Sequence, residues 1–478
     1  MPKKNITVFL EFFLLVLILA LASCLRFLNA DIATGWYNDE GTVVNIARNL
    51  LQGKVEYLGI TQSTLLAARP PLFPWILSIV FRFLPPNIAT LRLVTASLGV
   101  LTTLLMFLFL RKINLPLAFL STLIYAVYPL AVIYSRIGFS YNLCALWMVI
   151  VVWGMYDYLW KLNRRGLVIA SLSLGLAIIS EFIMFLVIPS IVLCVLWKRW
   201  RDLIPSLLVM ATPFLIYLVV LLISAPQTIW YDLTFAILRV NEVDIFVQIM
   251  MVFINFGAIL IRDSWVLIAI FGVFFSTSIR FQKLLTLFLI LPLLLLFRSI
   301  KIGNLSYYYL IPWIPLLCLG MSGFILWFLK KLLEYVNRLL KAFSVRFNIQ
   351  NQWVNQRIRQ LIFPLLVFIT IVFPVGMQLF TNFGEIGKGN ITTPLDMVMI
   401  QPEDGQATQE YILNHYHVGD LVLASPALAW TLPDTTTDYQ ISLAAMGYSV
   451  PHFPSDIPAD RLRFGMDFHQ ARFVITDN

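Results

Sequence analysis

Charge is what this sequence has least of. Asp, Glu, Lys and Arg make up 12 % of its 478 residues, about half of the roughly 25 % found in an ordinary soluble domain. A soluble globular fold is excluded for most of the chain. Cysteine is also scarce: Cys24, Cys144, Cys194 and Cys318 are the only four, and each sits inside an apolar run. They read as small buried side chains and say little about redox compartment. The four histidines, His415, His417, His452 and His469, all fall in the C-terminal hundred residues without metal-ligand spacing. There is no nucleotide-binding glycine loop in the tail, and no nucleic-acid partner is expected. The second half does not echo the first, and the centres of the apolar runs are nearly free of charge, which argues against a secondary transporter.

What the chain has in abundance is apolar surface, 60 % of its residues, with 37 Phe and 13 Trp. That composition belongs to polytopic membrane proteins. Eleven runs approach or reach the length of a span: 8–28, 91–110, 116–134, 142–160, 166–180, 182–197, 203–224, 264–279, 284–298, 305–329 and 361–380. The first is too long for the apolar core of a signal peptide and reads as a retained transmembrane helix. The expected fold class is therefore an α-helical polytopic membrane protein with about eleven spans, interfacial helices in its outer loops and a small C-terminal α/β soluble domain.

Basic residues set the orientation, because cytoplasmic loops retain Lys and Arg. Lys3 with Lys4, Arg111 with Lys112, Lys161 with Arg164 and Arg165, Lys198 with Arg199 and Arg201, Arg280 with Lys283, and the linker 330–359 all share one side if the N-terminus is cytoplasmic. Segments 29–90, 135–141, 225–263, 299–304 and 381–478 then lie outside. This holds only if the apolar run 245–261 lies along the outer surface instead of crossing. The linker 330–360 reads as a basic amphipathic stretch on anionic lipid. The catalytic unit is expected over 1–380 and the small outer domain over 381–478, where QEYILNHYH is helix-like and GDLVLAS and RFVITD are strand-like.

Within the outer loop 29–90, EGTVVNIARNLL has apolar residues at helical spacing, with Asp39 placed to cap it and Gly53 to stop it. WILSIVFRFL, between prolines, gives a second short helix. The runs 166–180 and 182–197 form a tight hairpin with Glu181 at its tip. The outer polar set is Asp39, Glu40, Arg69, Arg136, Glu181, Arg262, Asp263, Arg298, Lys301 and the run Tyr307, Tyr308, Tyr309. Carboxylates beside permanent positive charges suit a proton acceptor next to a phosphate leaving group. The expectation is that Asp39 and Glu40 share a cavity with Arg136 and at least one of Arg262, Arg298 and Lys301, within about one Debye length, near 10 Å.

The order NDEG after the first span, RPPLFPW in the same loop, YSRIGFS after a later span and YYYLIPWIPL opening a late span resembles the polyprenyl-phosphate-dependent glycosyltransferases of the GT-C type. The likeness is to the branch of protein O-mannosyltransferases and the lipid A aminoarabinose transferase, and it covers about residues 1–380. The resemblance implies transfer of a sugar, with inversion, from a polyprenyl-phosphate-linked donor to an acceptor hydroxyl outside the cytoplasm. Asp39, with Glu40 beside it, matches the family's acid and would deprotonate the acceptor. Arg69 stands where relatives often have His, Tyr309 matches the tyrosine that opens the late span, and Tyr308 replaces a frequent basic residue. Arg69, Arg136, Glu181, Arg262, Arg298, Lys301, Tyr308 and Tyr309 are the candidates for binding donor phosphate or substrate.

Two departures stand out. After Arg136 many relatives carry a second acid where this chain has Ser140, Tyr141 and Asn142, and many carry Lys where it has Glu181. Either the acceptor differs, or Glu181 supplies that carboxylate from another helix. Asp39, Glu40, Glu181 and Asp263 could ligate a divalent cation, but no spacing fixes them around one, so metal dependence stays open. The partners implied are the lipid-linked donor, a lipid, glycan or protein acceptor, and membrane lipids, in a bacterial plasma membrane. An oligosaccharide ligase or polymerase, a transporter and a noncatalytic scaffold are the alternatives.

Overall fold

The computed structural model describes residues 2–30, 35–62, 69–238, 244–275, 278–299, 307–346, 362–388 and 399–475. Helices dominate it. Helix α1 (Pro2–Phe27) leads to the first loop, which carries α2 (Asn38–Leu51), a two-stranded antiparallel ribbon of β1 (Glu56–Tyr57) with β2 (Ile60–Thr61), and α3 (Leu72–Val80). Then come α4 (Ile88–Arg111), α5 (Leu115–Val127), α6 (Pro129–Ser135), α7 (Tyr141–Lys161) and α8 (Arg164–Ile178). Later helices continue the bundle, with Leu203–Ser224, Ser264–Phe275 and Ile314–Arg346 among them.

The polytopic helical class is as expected, but the spans are fewer than the eleven apolar runs. Seven described stretches are long and apolar enough to cross a bilayer, and nine if each of two bent pairs counts as one. Part of the difference lies at α8, whose 15 residues rise only about 22 Å against a hydrocarbon core of about 30 Å. The rest lies at Phe182–Ser224, a 43-residue stretch that counts once. Ile245–Ile261 and Ser264–Phe275 meet at 114°, so the run expected to lie along the surface does not share the direction of the helix that follows it. The helix Ile314–Arg346 carries straight on from the apolar stretch into the basic one expected as a linker, and 347–361 fall outside the described residues.

Two arginines stitch the bundle together where helices end. Pro129 cannot continue the hydrogen-bond ladder of α5 and leaves its last carbonyls without helical partners. Arg26 of α1 donates to the carbonyls of Tyr125 at 2.9 Å and Ala126 at 3.0 Å, and Asn382 covers that of Val127 at 2.7 Å. Arg136, just past α6, returns the contact by donating to the carbonyls of Leu25 at 2.9 Å, Leu28 at 2.7 Å and Asn29 at 3.1 Å, which close α1. An unpaired carbonyl at that depth would cost several kcal/mol (about 2–7). These caps fix the point from which the first loop departs.

The C-terminal segment folds into a three-stranded parallel sheet, order β4-β3-β5, from β3 (Leu421–Leu423), β4 (Thr436–Thr437) and β5 (Ala471–Val474), with helices Pro402–His415 and Tyr439–Ala445. It is not a separate packing unit. Val43, Val44, Ala47, Phe73 and Leu77 of the first loop share one apolar core with Val422, Ala427 and Leu428. Ile46, Tyr57 and Ile60 share another with Ile441, Phe453 and Met466. Gly41 is essential to this seam: a Cβ there would lie 1.7 Å from the Pro426 carbonyl oxygen. Arg461, fully buried, pairs with Asp232 at 2.6 Å, which also ties the domain to the helix Ile229–Leu238.

Candidate active site

Helix α2 starts after Tyr37, and its first turn carries Asp39 and Glu40. Successive residues on a helix point about 100° apart, and here the two acids part company. Glu40 turns inward and is fully buried. Its carboxylate accepts from Arg92 Nε at 2.8 Å and Arg92 Nη2 at 2.7 Å, from the Gly138 N–H at 2.8 Å and from the Tyr37 N–H at 3.1 Å. Asp39 turns outward into a cleft of about 520 Å³. The expectation that Glu40 works beside Asp39 is corrected on this geometry: four donors occupy its oxygens and it does not line the cleft.

In the cleft Asp39 forms a direct ion pair with Arg69. Arg69 Nη1 also lies 3.9 Å from Glu181 Oε1, and the Ser140 hydroxyl donates to that same oxygen. Glu181 thus brings a carboxylate against Ser140 from the turn beyond α8. Burial raises the Glu181 carboxyl to about 7, against the opposing pull of Arg69 and Ser140. Burial also works against the charge of Arg69, but the two carboxylates more than offset it and hold its pKa above the ordinary value.

Aromatic rings form the adjoining wall. Tyr308 and Tyr309 lie 4.3 Å apart, Tyr141 is 5.5 Å from Tyr308 and 6.1 Å from Tyr309, and Phe139 stacks on Tyr308 at 5.2 Å. Tyr37 meets Phe139 edge-on at 5.5 Å. The third wall comes from Tyr57, Thr42 and the C-terminal domain, which contributes Pro426, Asp438, Gln440, His452 and Phe453.

Five of the expected residues therefore converge: Asp39, Arg69, Glu181, Tyr308 and Tyr309. Arg136 does not join them, because its guanidinium is spent on the carbonyls that close α1. Arg298 is exposed on the helix Leu291–Ser299 and does not line the cleft. Arg262 ends the helix Ile245–Arg262, and its side chain and Lys301 lie outside the described residues. Asp263 is engaged by the Tyr128 hydroxyl. Among the described residues no group of three His, Cys, Asp or Glu is placed to hold a metal ion. Sequence reasoning named no residue of the tail as a site candidate. Asp438 carried only the signature of a helix cap, and nothing local told that it faces the cleft.

A bundle of helices long and apolar enough to span a membrane, with a charged cleft walled by a small α/β domain, is the architecture of an integral membrane protein with a candidate active site. Residues 68–230 match the family described as dolichyl-phosphate-mannose-protein mannosyltransferase. The fold is similar to that of ArnT from Cupriavidus metallidurans bound to undecaprenyl phosphate, with a TM-score of 0.61 and 15 % identity over 87 % of this chain and 84 % of that one. The apo form of ArnT gives 0.60 and 15 %, with 90 % of each chain covered. The oligosaccharyltransferase AglB from Archaeoglobus fulgidus, in complex with an inhibitory peptide and a dolichol-phosphate, gives 0.55 and 14 % over 86 % of this chain and 59 % of the other. No curated protein sequence matches. The family match covers about a third of this chain, and what the solved structures share with it is the fold.

Proposed function

We propose that the protein moves a sugar, with inversion, from a polyprenyl-phosphate-linked donor to an acceptor hydroxyl on the non-cytoplasmic side of the membrane, with Asp39 as general base. The observation that carries this is the Asp39–Arg69–Glu181 cluster in the cleft. The donor phosphate competes with the two carboxylates for Arg69, and its arrival releases Asp39 from its ion pair. Asp39 then takes the proton of the acceptor O–H as that oxygen attacks the anomeric carbon from the face opposite the phosphate. The bond from the anomeric carbon to the phosphate oxygen breaks, and polyprenyl phosphate leaves with the electron pair. Arg69 meets the negative charge that develops there.

The positions of the basic clusters support the outer side. They sit at the N-terminus of α1, the C-termini of α4 and α7 and the N-terminus of α8, whereas the cleft takes Tyr141 from the opposite end of α7 and Glu181 from just past the opposite end of α8. Short cytoplasmic loops retain Lys and Arg, which supports a cleft on the outer side. ArnT holds undecaprenyl phosphate and AglB a dolichol-phosphate in similar folds, which supports the donor class.

The test incubates the purified full-length protein with a panel of polyprenyl-phosphate sugars and a membrane extract. Wild type forms a sugar-bearing product of inverted anomeric configuration, and Asp39→Asn loses about 10²–10⁴ in rate, the usual contribution of a general base. Equal product from both proteins, or retained configuration, would refute the mechanism.

A further inference from the structure

The cleft wall built by the C-terminal domain has no task in the mechanism above. It presents Pro426, Asp438, Gln440, His452 and Phe453, and Tyr57 of the first loop lines the same cleft. The wall is held firmly. Asp438 Oδ1 accepts from the Gln440 N–H at 2.6 Å, Thr437 Oγ1 donates to the Leu58 carbonyl at 2.9 Å, and Tyr57 and Thr42 share a hydroxyl contact at 3.2 Å. Gln440 Oε1 is closed off from solvent and has no hydrogen-bond partner among the described residues. A shielded acceptor in that state is costly, and a donor from a ligand relieves it.

The chemistry of this wall differs from that around Arg69. It offers a carboxylate, an amide, an imidazole and a phenol next to an aromatic face, and no Lys or Arg. A phosphate there would face the Asp438 carboxylate with no Lys or Arg of the wall to offset the repulsion, and an apolar chain would bury the polar groups unpaired. Vicinal hydroxyls do fit: a carboxylate accepts two O–H donors, an amide both donates and accepts, and a phenyl ring packs on the C–H face of a pyranose. Burial raises the Asp438 carboxyl, with the backbone N–H groups of Gln440 and Ile441 opposing, and a desolvated carboxylate bonds a hydroxyl more strongly than one in water.

We infer that Asp438 and Gln440, with Phe453 beside them, form a saccharide-reading subsite that determines which sugar ring this glycosyltransferase accepts. The inference rests on the proposed function and deepens it. The ring is either the one carried by the donor or one belonging to the acceptor, since both must reach Asp39.

The test uses the full-length protein in detergent and two kinds of probe: methyl glycosides of mannose, glucose, galactose and arabinose, followed by saturation-transfer NMR, and undecaprenyl phosphate, followed by equilibrium binding. At least one glycoside binds wild type. Asp438→Asn and Gln440→Ala each weaken it about tenfold or more, the loss expected for a buried hydrogen bond, and leave undecaprenyl phosphate binding within about twofold, because its phosphate contacts at Arg69 are untouched. If Asp438→Asn does not fold, Gln440→Ala carries the comparison. In the transfer assay the rise in KM falls on the donor if the ring is the donor's and on the acceptor otherwise, and either result supports the subsite. Glycosides that fail to bind a protein that binds undecaprenyl phosphate, or that bind wild type and both variants alike, overturn it. Failure to bind undecaprenyl phosphate would instead strike the proposed function, and this inference with it.

Discussion

Replacing Glu40 by Gln separates a structural carboxylate from a chemical one. Glu40 and Arg92 are both fully buried, and the pair is closed by the N–H groups of Gly138 and Tyr37 and by Arg92 donating to the carbonyl of Ala30 at 3.0 Å. Glu40→Gln keeps the shape but removes the charge and turns one acceptor into a donor facing other donors. Breaking a buried pair from one side costs about 3–5 kcal/mol, because the remaining charge is left uncompensated. That is roughly two to four powers of ten in the folding equilibrium. Unfolding of the purified protein in detergent, by heat and by added SDS, should show a large drop for Glu40→Gln and for Arg92→Gln. The double variant should lose less than the sum, since no lone charge remains. The fraction of Glu40→Gln that stays folded should bind undecaprenyl phosphate like wild type. A Glu40→Gln protein as stable as wild type but unable to transfer sugar would refute the reasoning and return Glu40 to the chemistry.

Other consequences follow from the same geometry. Arg69→Gln should weaken undecaprenyl phosphate binding about tenfold to a hundredfold, the loss of a charge-assisted contact worth about 1.5–3 kcal/mol. Asp39→Asn should leave it unchanged or tighter, because the ion pair that competes for Arg69 is gone; titration of both variants with the lipid checks the opposite signs. The Glu181 carboxyl is raised by burial from 4.5 to about 7, so the folded protein holds an extra proton between those values. The stability this group adds is complete below its unfolded pKa and is lost as pH rises through about 7. Glu181→Gln should flatten that fall, measured by unfolding midpoints on either side of the range. Gly41→Ala should cost about 1–3 kcal/mol or more by forcing α2 from the Pro426 backbone, and limited proteolysis should then cut the C-terminal domain faster.

Much of this protein was legible in its sequence. Apolar runs and their basic flanks are local features, and they determined the helical membrane class, the positions of most helices and the cluster of polar groups at one end. The short helices of the first loop, the left-handed Gly53 that ends α2 at φ +74° and the turn that carries Glu181 were written there for the same reason. So was the order of motifs that brings Asp39, Arg69, Tyr308 and Tyr309 to one cleft.

Only the tertiary structure decided what each charge does. Asp39 and Glu40 are neighbours in sequence, yet one meets Arg69 in the cleft and the other meets Arg92, 52 residues away, in the core. Arg136 looked like a phosphate ligand and is a cap for α1, because Leu25, Leu28 and Asn29 present their carbonyls to it from more than a hundred residues away. The wall that holds Asp438 and Gln440 reaches the first loop through contacts such as Ser425 to Asn38, 387 residues apart. Hydrophobic period and loop charge are set by neighbours along the chain, and they fix which elements form and which end of the bundle they face. The partner of a buried ion or a polar cap is set by close packing between distant segments, and that a sequence pattern does not carry.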